Sequence, residues 1–316
     1  MTRGYSAWAE GKQRPGPAWS LAVACCVCGV WAVPLALTCL SERPVSVVMR
    51  LQQLWGQVRC VVLGMVHLRA MPGTPLSSWS VSQITRKACE EVEVYVSAGI
   101  DGLIVENMHD IPYSMTVGPE VTAIMATICA TVRNSYPNIP LGIQVLSAAN
   151  QQALAVALAA DADFIRAEGF VFSQISDEGF LNACAGDLLR YRKQIGAEHI
   201  QIFTDVKKKH SSHAVTSDVS ISETARAAEF FLSDGVILTG IATGKQANPE
   251  ELKEVKQAVR IPVLIGSGVT VENMEEYMDA DAMIIGSHFK KSGYWANEVD
   301  FERIKKFMTK MKKLRK

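Results

Sequence analysis

Acidic, basic and imidazole side chains in this chain collect where short apolar runs stop. His67 ends one run, and Glu106-Asn107 ends the next, with His109 and Asp110 just beyond. Gln144 lies in a third, and Arg166 and Glu168 share a face of Phe164-Ile165-Arg166-Ala167-Glu168. In a fifth run Phe203, Asp205, Lys207 and Lys209 share a face at period two, and His210 follows. A sixth closes in Leu238-Thr239-Gly240. Such groups suit acid–base chemistry: Glu106 and Asp205 as general acid and base, Lys207 or Lys209 as electrophile or enolate stabiliser, with His67 and Arg166 beside them. Asn107, Gln144, Glu168, Thr239 and Gly240 stand where a substrate would pass. Asp205 is expected to be catalytic, because Lys207 and Lys209 lie on its face near a solvated mouth. The alternative is structural, since a buried charge is tolerated only when paired, and Arg166 could hold Glu106, Glu168 or Asp205. His67, Glu106, Asp205 and His210 also form a nitrogen and oxygen set for a divalent metal, although no His-x-x-x-His spacing supports one. No cofactor is expected.

Two glycine-centred turns supply the complement to these charges. Ile261-Pro262-Val263-Leu264-Ile265 runs into Gly266-Ser267-Gly268, and Ala282-Met283-Ile284-Ile285 runs into Gly286-Ser287. Glycine lets backbone N–H groups approach an anion, and Thr270-Val271-Glu272-Asn273 reads as a helix start whose dipole would add to the attraction. Two such turns on the last two strands of a strand–helix array make a phosphate cup. A phosphorylated small molecule held at Gly266, Ser267, Gly268, Gly286 and Ser287 would extend its carbon skeleton towards the charges on the other strands.

The positioning elements can be counted back from that pair. Apolar runs of strand length occur at 60–68, 102–105, 141–146, 164–167, 200–206, 235–239, 262–265 and 282–285. Segments with helical spacing alternate with them at 82–98, 119–135, 148–160, 180–195, 222–232, 249–259 and 271–278. Continuous apolar strands alternating with amphipathic helices imply a parallel sheet covered by helices. Residues 58–316 match the length of a (β/α)8 TIM barrel, ~250 residues. A doubly wound sheet is disfavoured, because no Gly-rich fingerprint follows the first strand.

Residues 1–57 form a non-barrel N-terminal extension. Within it residues 19–40 carry no charge, long enough for a targeting sequence, a signal core or a membrane segment. Met49 begins a plausible shorter chain, so the extension is read as targeting or dispensable. Location is expected to be mitochondrial or cytoplasmic, with membrane contact, anchoring or secretion only through 19–40. Of eight cysteines, four crowd into the extension and Cys60, Cys89, Cys129 and Cys184 stand singly, which implies neither a disulfide framework nor a metal motif. The formal net charge is zero and gives no reason to expect nucleic acid. The basic C-terminus carries Ile304, Phe307, Met308 and Met311 at helical spacing and reads as the eighth barrel helix. A homo-oligomer is left open.

The motifs together resemble the BtpA family. They are Gly64-Met65-Val66-His67-Leu68, Asp101-Gly102-Leu103-Ile104-Val105-Glu106-Asn107, Pro140 to Leu146, Phe164-Ile165-Arg166, Asp205 to His210, Gly266 to Thr270 and Ile285-Gly286-Ser287, in order from about Val58 to the C-terminus. The resemblance implies a barrel of the ribulose-phosphate-binding type. It also implies a rival to an enzyme, since the family takes its name from photosystem I accumulation: a non-catalytic assembly or stability factor for a membrane complex. The apolar stretch Glu168 to Ser173 and the basic run Lys207-Lys208-Lys209 depart from the family pattern.

Overall fold

The computed structural model describes residues 48–316, and the apolar segment 19–40 lies outside them. Eight parallel strands close into a barrel: β1 (Val61–His67), β2 (Gly102–Glu106), β3 (Leu141–Gln144), β4 (Phe164–Ala167), β5 (Gln201–Val206), β6 (Gly235–Leu238), β7 (Val263–Ile265) and β8 (Ala282–Ile285), with β8 pairing back onto β1. Every strand residue is buried, because one face packs into the lumen and the other beneath the helices. This is why the strands read as unbroken apolar runs. Register places His67 beside Glu106, and Glu106 beside Gln144, so the polar ends of β1 to β3 lie level at one mouth.

The helices are α1 (Val48–Trp55), α2 (Val81–Ser97), α3 (Pro119–Ser135), α4 (Asn150–Ala159), α5 (Ala185–Gln194), α6 (Ile221–Phe230), α7 (Pro249–Ala258) and α8 (Phe301–Leu314). Local chemistry sets their starts. Ser80 with Gln83 and Ser220 with Glu223 form capping boxes, and Asn248 and Asp300 cap α7 and α8. Two expected helices differ. The segment 271–278 makes only a 3-10 turn, Met274–Tyr277, and the Asn273 side chain accepts from the Thr270 amide ahead of it. The segment 180–195 is helical only from Ala185, since Gln174–Ser176 and Gly179–Leu181 form a hairpin that pairs with Ser211–Ser212.

The lumen is filled by Val61, Leu63, Ile104, Phe164, Phe203, Ile237, Leu264 and Ala282, and Trp55 of α1 packs among them. The Trp55 ring lies 5.8 Å from Phe164, and its indole N–H donates to the Asp101 carbonyl at 2.9 Å. The boundary drawn at 57/58 therefore cuts through the barrel unit, whose N-terminal mouth is plugged by α1. At the other end of the chain α8 buries Ile304, Phe307, Met308 and Met311, as its spacing predicts. The four cysteines of the described residues are free, with Cys60 and Cys129 buried. No helix of the described residues is long and apolar enough to cross a membrane.

Candidate active site

At the carboxyl mouth of the strands lies a cavity of ≈ 170 Å³. His67, Glu106, Arg166 and Lys209 line one side, and Gly266-Ser267-Gly268 and Gly286-Ser287 line the other. The glycine turns and the lumen charges, which lie far apart in sequence, thus meet in one space. Gly268 has φ +67 and its Cα faces the Gln246 amide so closely that a Cβ would sit 2.3 Å from that nitrogen. Only glycine fits there. Among the described residues no hydrogen bond occupies the amide N–H groups of Gly268, Ser287 and His288. The amide of Gly266, in contrast, is spent on the Leu238 carbonyl at 2.7 Å, and the Ser267 hydroxyl donates to the Lys245 carbonyl at 2.6 Å. Those two residues shape the turn, and its free amides are the later ones. The α-helix expected after Thr270 is absent, so no α-helix dipole adds to the turn, and the cation Arg303 lines the cavity beside its free amides.

The opposite wall is an acid–base cluster. His67 Nδ1 lies 3.0 Å from the Trp295 carbonyl, which can only accept, so Nδ1 carries the proton and the Nε2 lone pair faces the Glu106 carboxyl at 3.5 Å. Burial, helped by Lys290, pushes the imidazole well below its ordinary pKa and keeps it neutral. Burial raises the Glu106 carboxyl, with Arg166 and Lys209 acting against it. Lys209 is lowered by burial and by Arg166, against the pull of Glu106. A carboxyl raised and an amine lowered within one cavity approach each other in proton affinity, which suits proton transfer between them.

Several expected site residues stand elsewhere. Asp205 is not at a solvated mouth. Its carboxylate takes Arg166 Nε at 3.1 Å and Nη2 at 3.0 Å, and its side chain is 0 % exposed. It is held in an ion pair with Arg166 and closed off from the solvated mouth expected of it. Lys207 also leaves the cavity. Period-two alternation ends there, because Lys207 has φ 47, and its ammonium donates to the Thr216 carbonyl at 2.8 Å. Glu168 accepts from Gln144 Nε2 at 3.1 Å and pairs with Lys208 at 3.3 Å. Asn107 ties β2 to the β3 exit, donating to Asp110 and accepting from the Leu146 amide at 2.7 Å. Thr239 accepts from the Lys209 amide, and Gly240 permits close packing on the Lys245 carbonyl. These groups support the wall and do not line the cavity. The metal alternative also fails on geometry: no three His, Cys, Asp or Glu of the described residues converge, and the exposed His210 accepts instead from the Thr243 amide at 3.1 Å.

With this geometry in view, the comparisons with known proteins are decisive for kinship. A model described as the BtpA family matches residues 59–313. The chain belongs to the BtpA family. It is 48% identical over 84% of its length to 97% of a Caenorhabditis elegans protein named as uncharacterised and mitochondrial. It is 32% identical over 79% of its length to 87% of a Synechocystis protein named photosystem I biogenesis protein BtpA. Among solved structures, tryptophan synthase subunit alpha from Legionella pneumophila aligns with TM-score 0.52 at 14% identity, covering 85% of this chain and 98% of that one. Phosphoribosyl anthranilate isomerase from Thermus thermophilus aligns with TM-score 0.50 at 12% identity, covering 80% and 99%. At such identities these two show the TIM-barrel fold alone.

Some residues in and around the cavity of this BtpA-family barrel carry no signal in the sequence. Trp295 closes over His67, and its ring lies 6.3 Å from His67 and 5.1 Å from His109. Arg303 projects from the first turn of α8 and donates to the His288 carbonyl. Both come from the segment after β8, whose return across the mouth has no local pattern. Lys208 is buried opposite Glu168 and Glu178, which hold its ammonium above the ordinary lysine pKa despite the opposing effect of burial. It sits in a run of three lysines that sequence alone cannot sort.

Proposed function

We propose that this BtpA-family barrel is an enzyme that binds a phosphorylated small molecule, such as a sugar or nucleoside phosphate, and moves a proton on its carbon skeleton in an isomerase- or lyase-type reaction. The supporting observation is the shared cavity, with free turn amides on one wall and the His67–Glu106–Lys209 cluster on the other. The amides of Gly268 and Ser287 hold the phosphate. Glu106 exchanges a proton with the substrate, and His67 Nε2, kept as an acceptor by the Trp295 carbonyl, receives or returns it. Arg166, oriented by Asp205, presents positive charge to the anion that develops on a carbonyl oxygen. The names of the two structural neighbours accord with such a reaction, but the site carries the reading.

Thermal melts with a panel of phosphorylated metabolites test it. A ligand at one hundred times its dissociation constant should stabilise by ~2.7 kcal/mol. Absence of a shift with every compound would remove the phosphate site. The name of the Synechocystis relative favours a second reading, a scaffold for assembly of a membrane complex. A scaffold keeps its role when Glu106 becomes Gln, whereas the enzyme loses turnover. The name of the nematode relative supports a mitochondrial location, to be tested by imaging the full chain with a C-terminal tag.

A further inference from the structure

Three consecutive lysines follow β5, and the fold gives each a different fate. Lys207 is turned away by its left-handed backbone and donates to the Thr216 carbonyl and hydroxyl at 2.8 and 3.2 Å. Lys208 is neutralised by Glu168 at 3.3 Å, with Glu178 at 4.0 Å. Lys209 alone lines the cavity, and its ammonium has neither a hydrogen bond nor an ion pair among the described residues. The neighbouring charges are already matched, Arg166 by Asp205 and Lys208 by Glu168. That leaves Glu106 and Lys209 as an acid and an amine with no fixed partner of opposite charge in the same space. A half-buried amine held near Arg166 and kept free of partners is unfavourable unless something else uses it.

We infer that Lys209 is a nucleophile that forms an iminium with the carbonyl carbon of a phosphorylated aldehyde or ketone held at the Gly268 and Ser287 turns. This deepens the proposed function and rests on it, naming the substrate class as a carbonyl phosphate. The free amine adds to the carbonyl carbon, forming the C–N bond while the C=O π pair moves to oxygen. A proton from nitrogen reaches that oxygen through Glu106. A second proton from the Glu106 carboxyl lets the hydroxyl depart as water, and the nitrogen lone pair completes the C=N bond. Amine, carbonyl and one proton thus give the iminium and one water, and hydrolysis reverses the sequence. Lys209 suits the role because burial and Arg166 lower its pKa, enlarging the fraction of free base.

Borohydride trapping tests the inference. The full chain is incubated with glyceraldehyde 3-phosphate, dihydroxyacetone phosphate or ribose 5-phosphate, and hydride reduces any iminium to a stable secondary amine. Intact mass should rise by the reduced adduct, and peptide mapping should place it on Lys209. Lys209→Arg, which keeps the cation but forms no iminium, should lose the adduct, and Lys207→Met should keep it. Excess inorganic phosphate should suppress it. An adduct spread over surface lysines, or one that persists in Lys209→Arg, overturns the inference. A probe that raises the melting temperature without any adduct overturns it while leaving the phosphate site standing. Neither adduct nor melting shift with any probe removes both.

Discussion

Replacing Asp205 by Asn should destabilise the barrel far more than it disturbs a proton-transfer step. The Asp205 side chain is fully buried and that of Arg166 is 3 % exposed, so solvent screens little of their attraction. Three hydrogen bonds join them, two of them to one carboxylate oxygen. Removing one partner of such a pair costs about 3–5 kcal/mol, chiefly because the remaining charge is stranded. At about 2–4 °C per kcal/mol for a domain of this size, the melting temperature should fall by roughly 6–20 °C. The lower part of that range is expected, because Asn keeps one oxygen acceptor and Glu106 already interacts with the Arg166 charge. The freed guanidinium should also draw the Glu106 pKa downwards. Circular-dichroism melts of wild type, Asp205→Asn, Arg166→Met and the double variant form the assay, with urea denaturation as a second measure. The double variant should recover about half or more of the loss, since neither charge is then stranded. A fall of less than about 2 °C, well below the range expected for a broken buried pair, combined with lost turnover would place Asp205 on the reaction path and refute this account.

Gly286→Val should fill the phosphate side of the cavity without unfolding the chain, because a Cβ there meets His67 and Met65 only at 3.4–3.5 Å. Phosphate-dependent stabilisation should vanish in calorimetry while the unliganded melt stays within a few degrees. Burial raises Glu106, so the folded state binds more protons than the unfolded state above the ordinary value of 4.5. Wild-type stability should therefore fall relative to Glu106→Gln as pH rises from 4.5 through the raised value, read from urea midpoints across pH. His67 has the opposite sign. Its lowered pKa contributes stability that is present above 6.5 and lost as pH falls, and nitrogen NMR should show a neutral Nδ1–H tautomer at pH 6.5. A chain beginning at Met49 should fold, whereas one beginning at Val58 loses the Trp55 plug and should be less stable by about 3–5 kcal/mol, measured by denaturant titration.

The sequence by itself determined the barrel and its two ends of chemistry. Strands buried on both faces need unbroken apolar runs, so β1 to β8 were legible, and the glycines at 266, 268 and 286 marked the turns that leave β7 and β8, of which the one at 268 admits no larger residue. His67, Glu106, Arg166 and Lys209 were also legible, since charge at the end of an apolar strand is costly unless used. Pairing was not. Whether Arg166 holds Asp205 or Glu106 depends on side-chain reach across β4 and β5, and the strand pattern is equally compatible with both. The fates of Lys207, Lys208 and Lys209 turn on one left-handed residue, which breaks the alternation that period-two reading assumes. Trp295 and Arg303 reach the site from an irregular segment and from α8, and Trp55 plugs the far mouth from a helix before β1. Local periodicity reports which face of an element is buried. Which distant groups meet there depends on closure of the ring, and only the tertiary structure decides it.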